Sequence, residues 1–108
     1  MTITLDQINY ISTSGVDVIS IDLTETLDSD ETVSSIATPT ESTEAVTLSS
    51  ASVKSSSWTY KDGTSVSANK GVQCNVTAPA TAGTYTIVWL PVTSSSRTLP
   101  VATTLVVV

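Results

Sequence analysis

The last third of the chain carries the pattern that most constrains its fold. Tyr85, Ile87 and Trp89 are spaced two residues apart, which places them on one face of a strand. A polar turn over residues 94–97 follows, and a β-branched stretch then occupies residues 101–108. Two such strands bury their shared apolar face only against another layer, so the pattern predicts the closing hairpin of a two-sheet sandwich.

Similar alternation recurs along the chain between clusters of turn residues. The further predicted strands lie at residues 16–23, 33–37, 46–53 (interrupted at Ser49 and Ser50), 58–60 and 72–77, and the Asp62-Gly63 dipeptide predicts a hairpin turn. Abundant Ser and Thr disfavour helix. We therefore predict an all-β fold: an immunoglobulin-like antiparallel β-sandwich of seven to eight strands over residues 16–108, preceded by a short N-terminal arm over residues 1–15.

The core of such a domain has few aromatic residues to draw on. The 108 residues suffice for one domain, 40% are hydrophobic, and Phe is absent. Aliphatic side chains must therefore be supplemented by the four candidate aromatic anchors, which are Trp58, Tyr60, Tyr85 and Trp89. The alternative for Trp58 and Trp89 is exposure, where an indole can stack on a sugar ring.

The reactive side chains are few. The chain has no His and a single cysteine, Cys74, so an intrachain disulfide is impossible. Cys74 alternates with Val72 and Val76, which predicts that it packs inward. No Ser lies in a nucleophile motif, so we predict that the protein is not an enzyme and assign no catalytic, cofactor-binding or metal-binding residue.

Charge is divided unevenly along the sequence. The net charge is −6, but residues 1–44 hold nine acidic and no basic residues, giving −9, whereas residues 45–108 carry +3. The four cations, Lys54, Lys61, Lys70 and Arg97, are too scattered for a nucleic-acid footprint. Oppositely charged segments of neighbouring copies can attract through Lys61, Lys70 or Arg97, which predicts a homo-oligomer, a trimer or a dimer; the alternative is a monomer in which both charges face water.

The densest acidic group lies in one predicted turn and comprises Asp22, Glu25, Asp28, Asp30 and Glu31. A solvated turn or a partner-facing patch is the preferred interpretation, and a calcium site is the alternative, although the turn lacks the Gly and distal Glu of a calcium-binding loop. Paired carboxylates for glycoside hydrolysis are disfavoured because these acids sit in polar turns. A lysine isopeptide crosslink is a further, minor alternative.

Two stretches resemble a known family. One is Asp17-Val18-Ile19-Ser20-Ile21-Asp22 followed by Leu27-Asp28-Ser29-Asp30-Glu31-Thr32-Val33-Ser34-Ser35, and the other is Thr81-Ala82-Gly83-Thr84-Tyr85-Thr86-Ile87 leading to Arg97-Thr98. They resemble the small immunoglobulin-like virion proteins of tailed bacteriophages, in which an acidic turn opens the domain and a turn ending in Gly-Arg-Thr closes it. Ser96 replaces the usual Gly, and residues 54–71 form a longer segment than the family's.

The resemblance implies a structural role and supplies no catalytic residue. We expect a capsid decoration or cement protein that binds the major capsid protein lattice on the outer surface of a phage head. The alternatives are a head–tail or fibre adaptor, or a module that adheres to host-surface glycans. Residues 1–10 show no export signal and no apolar run is long enough to span a bilayer, so we expect synthesis in the host cytoplasm, with neither membrane nor nucleic acid as a partner.

Overall fold

The computed structural model describes residues 2–108 and is built from strands and turns. Eleven strands follow one another: β1 (Ile3–Ile11), β2 (Val16–Asp22), β3 (Val33–Ile36), β4 (Thr40–Glu41), β5 (Thr47–Val53), β6 (Trp58–Thr59), β7 (Ser65–Val66), β8 (Gly71–Thr77), β9 (Gly83–Trp89), β10 (Pro91–Thr93) and β11 (Val101–Val107). A single 3₁₀ turn at Thr24–Thr26 follows β2. The all-β prediction is confirmed, and residues 2–108 contain no helix long and apolar enough to cross a membrane.

One sheet has the strand order β1-β11-β9-β4. The predicted hairpin is its centre: β9 and β11 pair antiparallel in unbroken register from Trp89↔Val101 to Gly83↔Val107. β10 and β3 form a separate two-stranded sheet that continues this one, because β10 follows β9 after Leu90 and β3 precedes β4 along the chain. When β3 with β4 and β9 with β10 are each counted as one interrupted strand, the eleven strands become seven main strands and the small hairpin of β6 and β7.

The N-terminal segment differs from the arm that we predicted. Residues 3–11 form β1, an edge strand that pairs parallel with β11, so one strand pair departs from the antiparallel pattern. Two extra residues are accommodated in β1 between Thr4 and Ile8. Ile3, Leu5 and Ile11 face the core, and their burial gives the segment a reason to join the sheet instead of extending from it.

The second sheet has the order β2-β8-β5, with β8 at its centre. β8 alternates buried Val72, Cys74 and Val76 with more exposed residues, as predicted. Burial raises the pKa of the Cys74 thiol to about 11, so very little of it is present as the reactive thiolate. The register of β5 on β8 shifts between Ser49 and Ser52, and Ser50 has φ 54°, which confirms the predicted interruption.

The two sheets pack face to face around one core. Its members from the second sheet include Ile19, Ile21 and Val76, and those from the first include Trp89 and Leu105. Trp89 is fully buried, and its Nε1 donates a hydrogen bond to Thr103 Oγ1 at 2.9 Å. The core interpretation of Trp89 is therefore confirmed.

A small hairpin, β6–β7, covers the beginning of β8. It turns at Gly63, whose φ of +92° suits glycine, and Tyr60 N–H donates to Thr64 O at 2.8 Å, as the Asp-Gly dipeptide predicts. The Trp58 ring lies against Gly71, where an added Cβ would be 2.5 Å from Trp58 Cζ2. The absence of a side chain at Gly71 therefore fixes where the hairpin sits.

We expect Gly71→Ala to displace the Trp58 ring and to destabilise the protein by about 1–3 kcal/mol, the usual cost of overpacking. The measurement is urea denaturation followed by circular dichroism, together with the emission maximum of Trp58. Gly83→Ala is the matched control, because the nearest atom to its added Cβ is 3.7 Å away. Equal losses from the two substitutions would contradict the contact between Trp58 and Gly71.

Candidate interaction surface

Most of the large exposed apolar side chains belong to β1, β2 and the C-terminus. Among residues 2–108 there are six, and five belong to β1, β2 or the adjoining C-terminus: Ile8, Tyr10, Val16, Val18 and Val108. Val16 is 74% and Tyr10 62% exposed. The sixth, Leu90, lies at the break between β9 and β10. Exposed apolar residues that lie close together on a polar surface indicate an interaction site, whereas singly scattered ones do not.

The end of β1, the start of β2 and the C-terminus enclose a shallow depression of about 330 Å³, which we call the apolar groove; it is lined by Tyr10, Ile11, Ser12, Gly15, Val16, Asp17 and Val108. A tight turn over residues 12–15 forms one end, with Ser14 at φ 57° and Gly15 N–H donating to Ser12 O at 2.9 Å. Val108 is held beside this turn by reciprocal backbone bonds: its N–H donates to Ile11 O and its carbonyl accepts from Thr13 N–H.

A second depression, of about 250 Å³, lies at the opposite end of β2, and we call it the acidic cleft. Its lining includes four carboxylates and one phenol: Asp6, Asp22, Glu25, Asp62 and Tyr60. Burial first, and then the charges of Asp62 and Asp22, raise the pKa of Tyr60. The buried Tyr60 hydroxyl has no hydrogen-bond partner in the described part of the chain.

The backbone of β2 is open along the edge away from β8. Leu23 N–H donates to Lys70 O, and Ala78 N–H donates to Gly15 O. In an antiparallel pair this means that the backbone N–H and C=O groups of odd-numbered β2 residues bond to β8, whereas those of even-numbered residues point away from it. Asp22, at the cleft end, is closed by the side chain of Gln7, which donates to Asp22 O at 2.6 Å and accepts from Asp22 N–H at 2.9 Å. We call the remaining outward backbone of Val16, Val18 and Ser20 the β2 edge.

The five acids of residues 22–31 do not act as one group. Asp22 Oδ1 accepts hydrogen bonds from the backbone and hydroxyl of Thr24, and Glu31 turns inward. Within residues 2–108 no three His, Cys, Asp or Glu side chains are arranged to hold a metal ion. The five acids thus divide into two at the acidic cleft, Asp22 and Glu25, one that is buried, Glu31, and two that are exposed, Asp28 and Asp30.

Glu31 was predicted to be solvated, and the structure corrects this. Its side chain is 1% exposed and makes an ion pair with Arg97. Thr93 Oγ1 also donates to Glu31 Oε2, at 2.5 Å. The hydrogen bond from Arg97, followed by that from Thr93, lowers the pKa of Glu31 to about 2, and the same pair raises the pKa of Arg97. Arg97 is therefore engaged within its own chain.

Glu41 is also buried, and it organises the loop after β4. Its carboxylate accepts from the hydroxyl of Thr43 and from the backbone N–H groups of Thr43, Ala45 and Val46. Burial by itself would raise the pKa of Glu41, but these hydrogen bonds outweigh it and the pKa is lowered. Because its donors follow within five residues, the carboxylate stabilises the local loop.

The remaining cations also have partners within the chain. Lys54 Nζ lies 4.4 Å from the Trp58 ring centroid and 3.2 Å from Gln73 Oε1. Lys70 Nζ donates to Ser29 O at 2.9 Å, and Lys61 Nζ is 5.8 Å from the Tyr10 and Tyr60 ring centroids. No lysine of residues 2–108 has a carboxylate within ion-pair distance, 4.0 Å.

The aromatic residues divide between core and hairpin. Trp89 is buried and cannot stack on a sugar ring. Trp58 is half-buried, with one face against Lys54, and its ring lies edge-to-face with Tyr60 at a centroid distance of 6.0 Å. Tyr10, which sequence reasoning did not single out, is the most exposed large aromatic side chain at the apolar groove; the only sequence signal for it is its outward position in the Ile3–Ile11 alternation.

Comparison with known proteins finds no family model that matches this chain and no match among the curated proteins.

Proposed function

We propose that this protein is a structural component of a tailed-phage virion, a decoration or cement protein that binds the major capsid protein lattice on the outer surface of the head. The observation that carries the proposal is the concentration of exposed apolar side chains on the β1–β2 side of a small sandwich. The short motifs around Asp28 and Gly83 that resemble immunoglobulin-like virion proteins support the same role.

The mechanism is adhesion. A capsid lattice repeats one binding surface many times, so a modest interface on each copy sums to a large stabilisation of the shell. The compact two-sheet core keeps the apolar groove, the β2 edge and the acidic cleft in a fixed arrangement, which limits the ordering cost when they meet a partner. This function needs neither a catalytic group nor a cofactor.

Two other functions remain as alternatives. A head–tail or fibre adaptor would use the same interaction surface in a ring of few copies. A glycan-adhesion module would have to rely on Trp58 or Tyr10, because Trp89 is buried. We favour a protein partner over a sugar because three of the exposed apolar side chains, Tyr10, Val16 and Val108, line one groove, and the resemblance to virion proteins favours decoration.

Copy number distinguishes these roles. We expect quantitative mass spectrometry of purified parent particles to find this chain in hundreds of copies, and electron microscopy to place it on the outer face of the head. A single ring of copies at the neck or tail would instead support the adaptor, and absence from the particle would refute a virion role. Particles made without the gene provide the control.

Self-association through charge remains a prediction. Arg97 is already paired with Glu31, so the attraction would have to come from Lys61 and Lys70, neither of which has a carboxylate of residues 2–108 within ion-pair distance. We expect any dimer or trimer in analytical ultracentrifugation to weaken as salt rises beyond about 0.15 M, where the Debye length is about 8 Å. An oligomer unaffected by salt would show that charge does not hold it together.

A further inference from the structure

We propose that the β2 edge binds an extended segment of another protein by strand addition, and that this segment carries an apolar side chain at one end and a Lys or Arg about six residues away. The inference rests on the proposed function in one respect: it names the surface that would engage the lattice. The groups that would recognise the segment belong to β2 and to the apolar groove and acidic cleft at its two ends.

The β2 edge offers backbone hydrogen-bonding groups to a partner. β2 is at the edge of its sheet, and the outward N–H and C=O groups of Val16 and Ser20 are hydrogen-bonded to no other strand of residues 2–108. An edge of this kind is a template for one more strand, whose main chain would bond to it. Asp17 Oδ1 accepts from Val18 N–H at 2.7 Å, so an incoming strand must displace this local contact.

The two depressions supply the specificity. Val16 lines the apolar groove and Asp22 lines the acidic cleft, so β2 runs from one to the other. Six residues of extended chain span about 20 Å, and a strand added beside β2 has the same rise. If an apolar side chain of the added segment lies at the groove, a Lys or Arg six residues away on the same segment lies near the cleft.

Charge complementarity identifies the partner as a different protein with a basic segment. The acidic cleft presents Asp6, Asp22, Glu25 and Asp62, and no ion pair neutralises them within residues 2–108. A second copy is a poor occupant, because the chain has net charge −6 and its four cations already contact their own chain. Self-pairing of β2 edges would also bring two copies of Asp17 close together.

The first test uses a defined peptide, acetyl-Thr-Val-Thr-Val-Thr-Lys-Thr-Lys-amide, in which one Val and the last Lys are six positions apart. In NMR titrations with the whole protein we expect amide signals of Val16, Val18 and Ser20 to shift and their hydrogen exchange to slow. Replacing both Lys by Glu in the peptide should weaken binding at least about tenfold, a loss of about 1.4 kcal/mol. No shift at β2, or equal binding of the two peptides, would overturn the proposal.

A matched pair of protein variants tests the backbone contact. Ser20→Pro removes an outward N–H that β8 does not use, and Ser20→Ala removes only the hydroxyl that accepts from Lys54 Nζ at 3.3 Å. We expect Ser20→Pro to bind the peptide at least about tenfold more weakly than Ser20→Ala. If Ser20→Pro does not fold, N-methylation of alternate peptide residues replaces it: one set should abolish binding and the other preserve it, and equal effects would overturn strand addition.

The acidic cleft has its own test. Asp6 and Glu25 are exposed and take part in no hydrogen bond or ion pair through their side chains in the described structure, so Asp6→Asn combined with Glu25→Gln removes charge with little change in packing. We expect this double variant to bind the Lys peptide more weakly and with less salt dependence than the unaltered protein. Unchanged affinity would refute the assignment of the cation to the cleft.

Binding to phage heads assembled without this chain separates this inference from the proposed function. If the unaltered protein binds heads but Ser20→Pro and Ser20→Ala bind equally well, the β2 edge is not the contact and only the decoration role stands. If it fails to bind heads but binds the peptide at β2, the decoration role fails and strand addition stands. A dimer that forms through β2 without peptide would make a second copy the occupant and overturn the proposal.

Discussion

Replacement of Trp89 by alanine is expected to cost about 3–5 kcal/mol of the free energy of unfolding, a large part of the 5–15 kcal/mol typical of a small domain. Trp89 is fully buried between the two sheets, and it is the only aromatic side chain of residues 2–108 that is fully buried. The buried Thr103 hydroxyl also loses the hydrogen bond that Trp89 Nε1 donates. Denaturant unfolding followed by circular dichroism measures the loss.

Val88→Ala is the control for this substitution. Val88 is the neighbouring residue of β9 and lies half-buried on the opposite face, so its truncation should cost much less. A third variant, Trp89→Phe, keeps an aromatic ring but not the donor, and its loss should fall between the other two. If Trp89→Ala is no worse than Val88→Ala, the core does not depend on this indole.

Replacement of Arg97 by methionine is expected to be the most damaging change of charge in the protein. It leaves the Glu31 carboxylate buried and without its cation, although Thr93 still donates to it. Removing one partner of a buried pair is costly because the other charge stays desolvated. Glu31→Gln should be milder, since Arg97 is 43% exposed and water can solvate its guanidinium. The double variant should then be more stable than Arg97→Met alone.

The pair should also be visible in the pH dependence of stability. The pKa of Glu31 is about 2 in the fold, against an ordinary value of 4.5 for a Glu carboxyl, so the unfolded chain binds the proton more readily. Its contribution is therefore complete above pH 4.5 and is lost as the pH falls toward 2. Subtracting the stability of Glu31→Gln from that of the unaltered protein at each pH isolates this contribution. A difference that stays constant from pH 5 to pH 2 would contradict the lowered pKa.

Local chemistry explains which features could be predicted from sequence. The alternation of Val72, Cys74 and Val76 reflects the two-residue period of a strand, and one of its faces had to be the buried one. The Asp62-Gly63 turn follows from the positive φ that glycine accepts. The outward position of Tyr10 also follows from the alternation of β1, but its exposure depends on which strands lie nearby.

The buried acids could not be predicted because their partners are supplied by the fold. Glu31 lies in a polar stretch, Asp28-Ser29-Asp30-Glu31, that has the composition of a solvated turn. Its cation is 66 residues away along the chain, and only the pairing of β3 with β10 brings the two together. The environment of Glu41 is more local, because its hydrogen-bond donors follow it directly in the sequence.

By itself, the sequence determined that this protein is a small all-β domain, where its main strands run and which side chains face inward, because a strand's period of two and its turn residues are encoded locally. The tertiary structure alone decided that residues 3–11 pair parallel with β11, that Glu31 is buried against Arg97, and that the apolar groove and acidic cleft lie at opposite ends of β2. Alternation specifies the face of a strand that is buried but not the strand beside it, and neighbours are chosen by the packing of the whole chain.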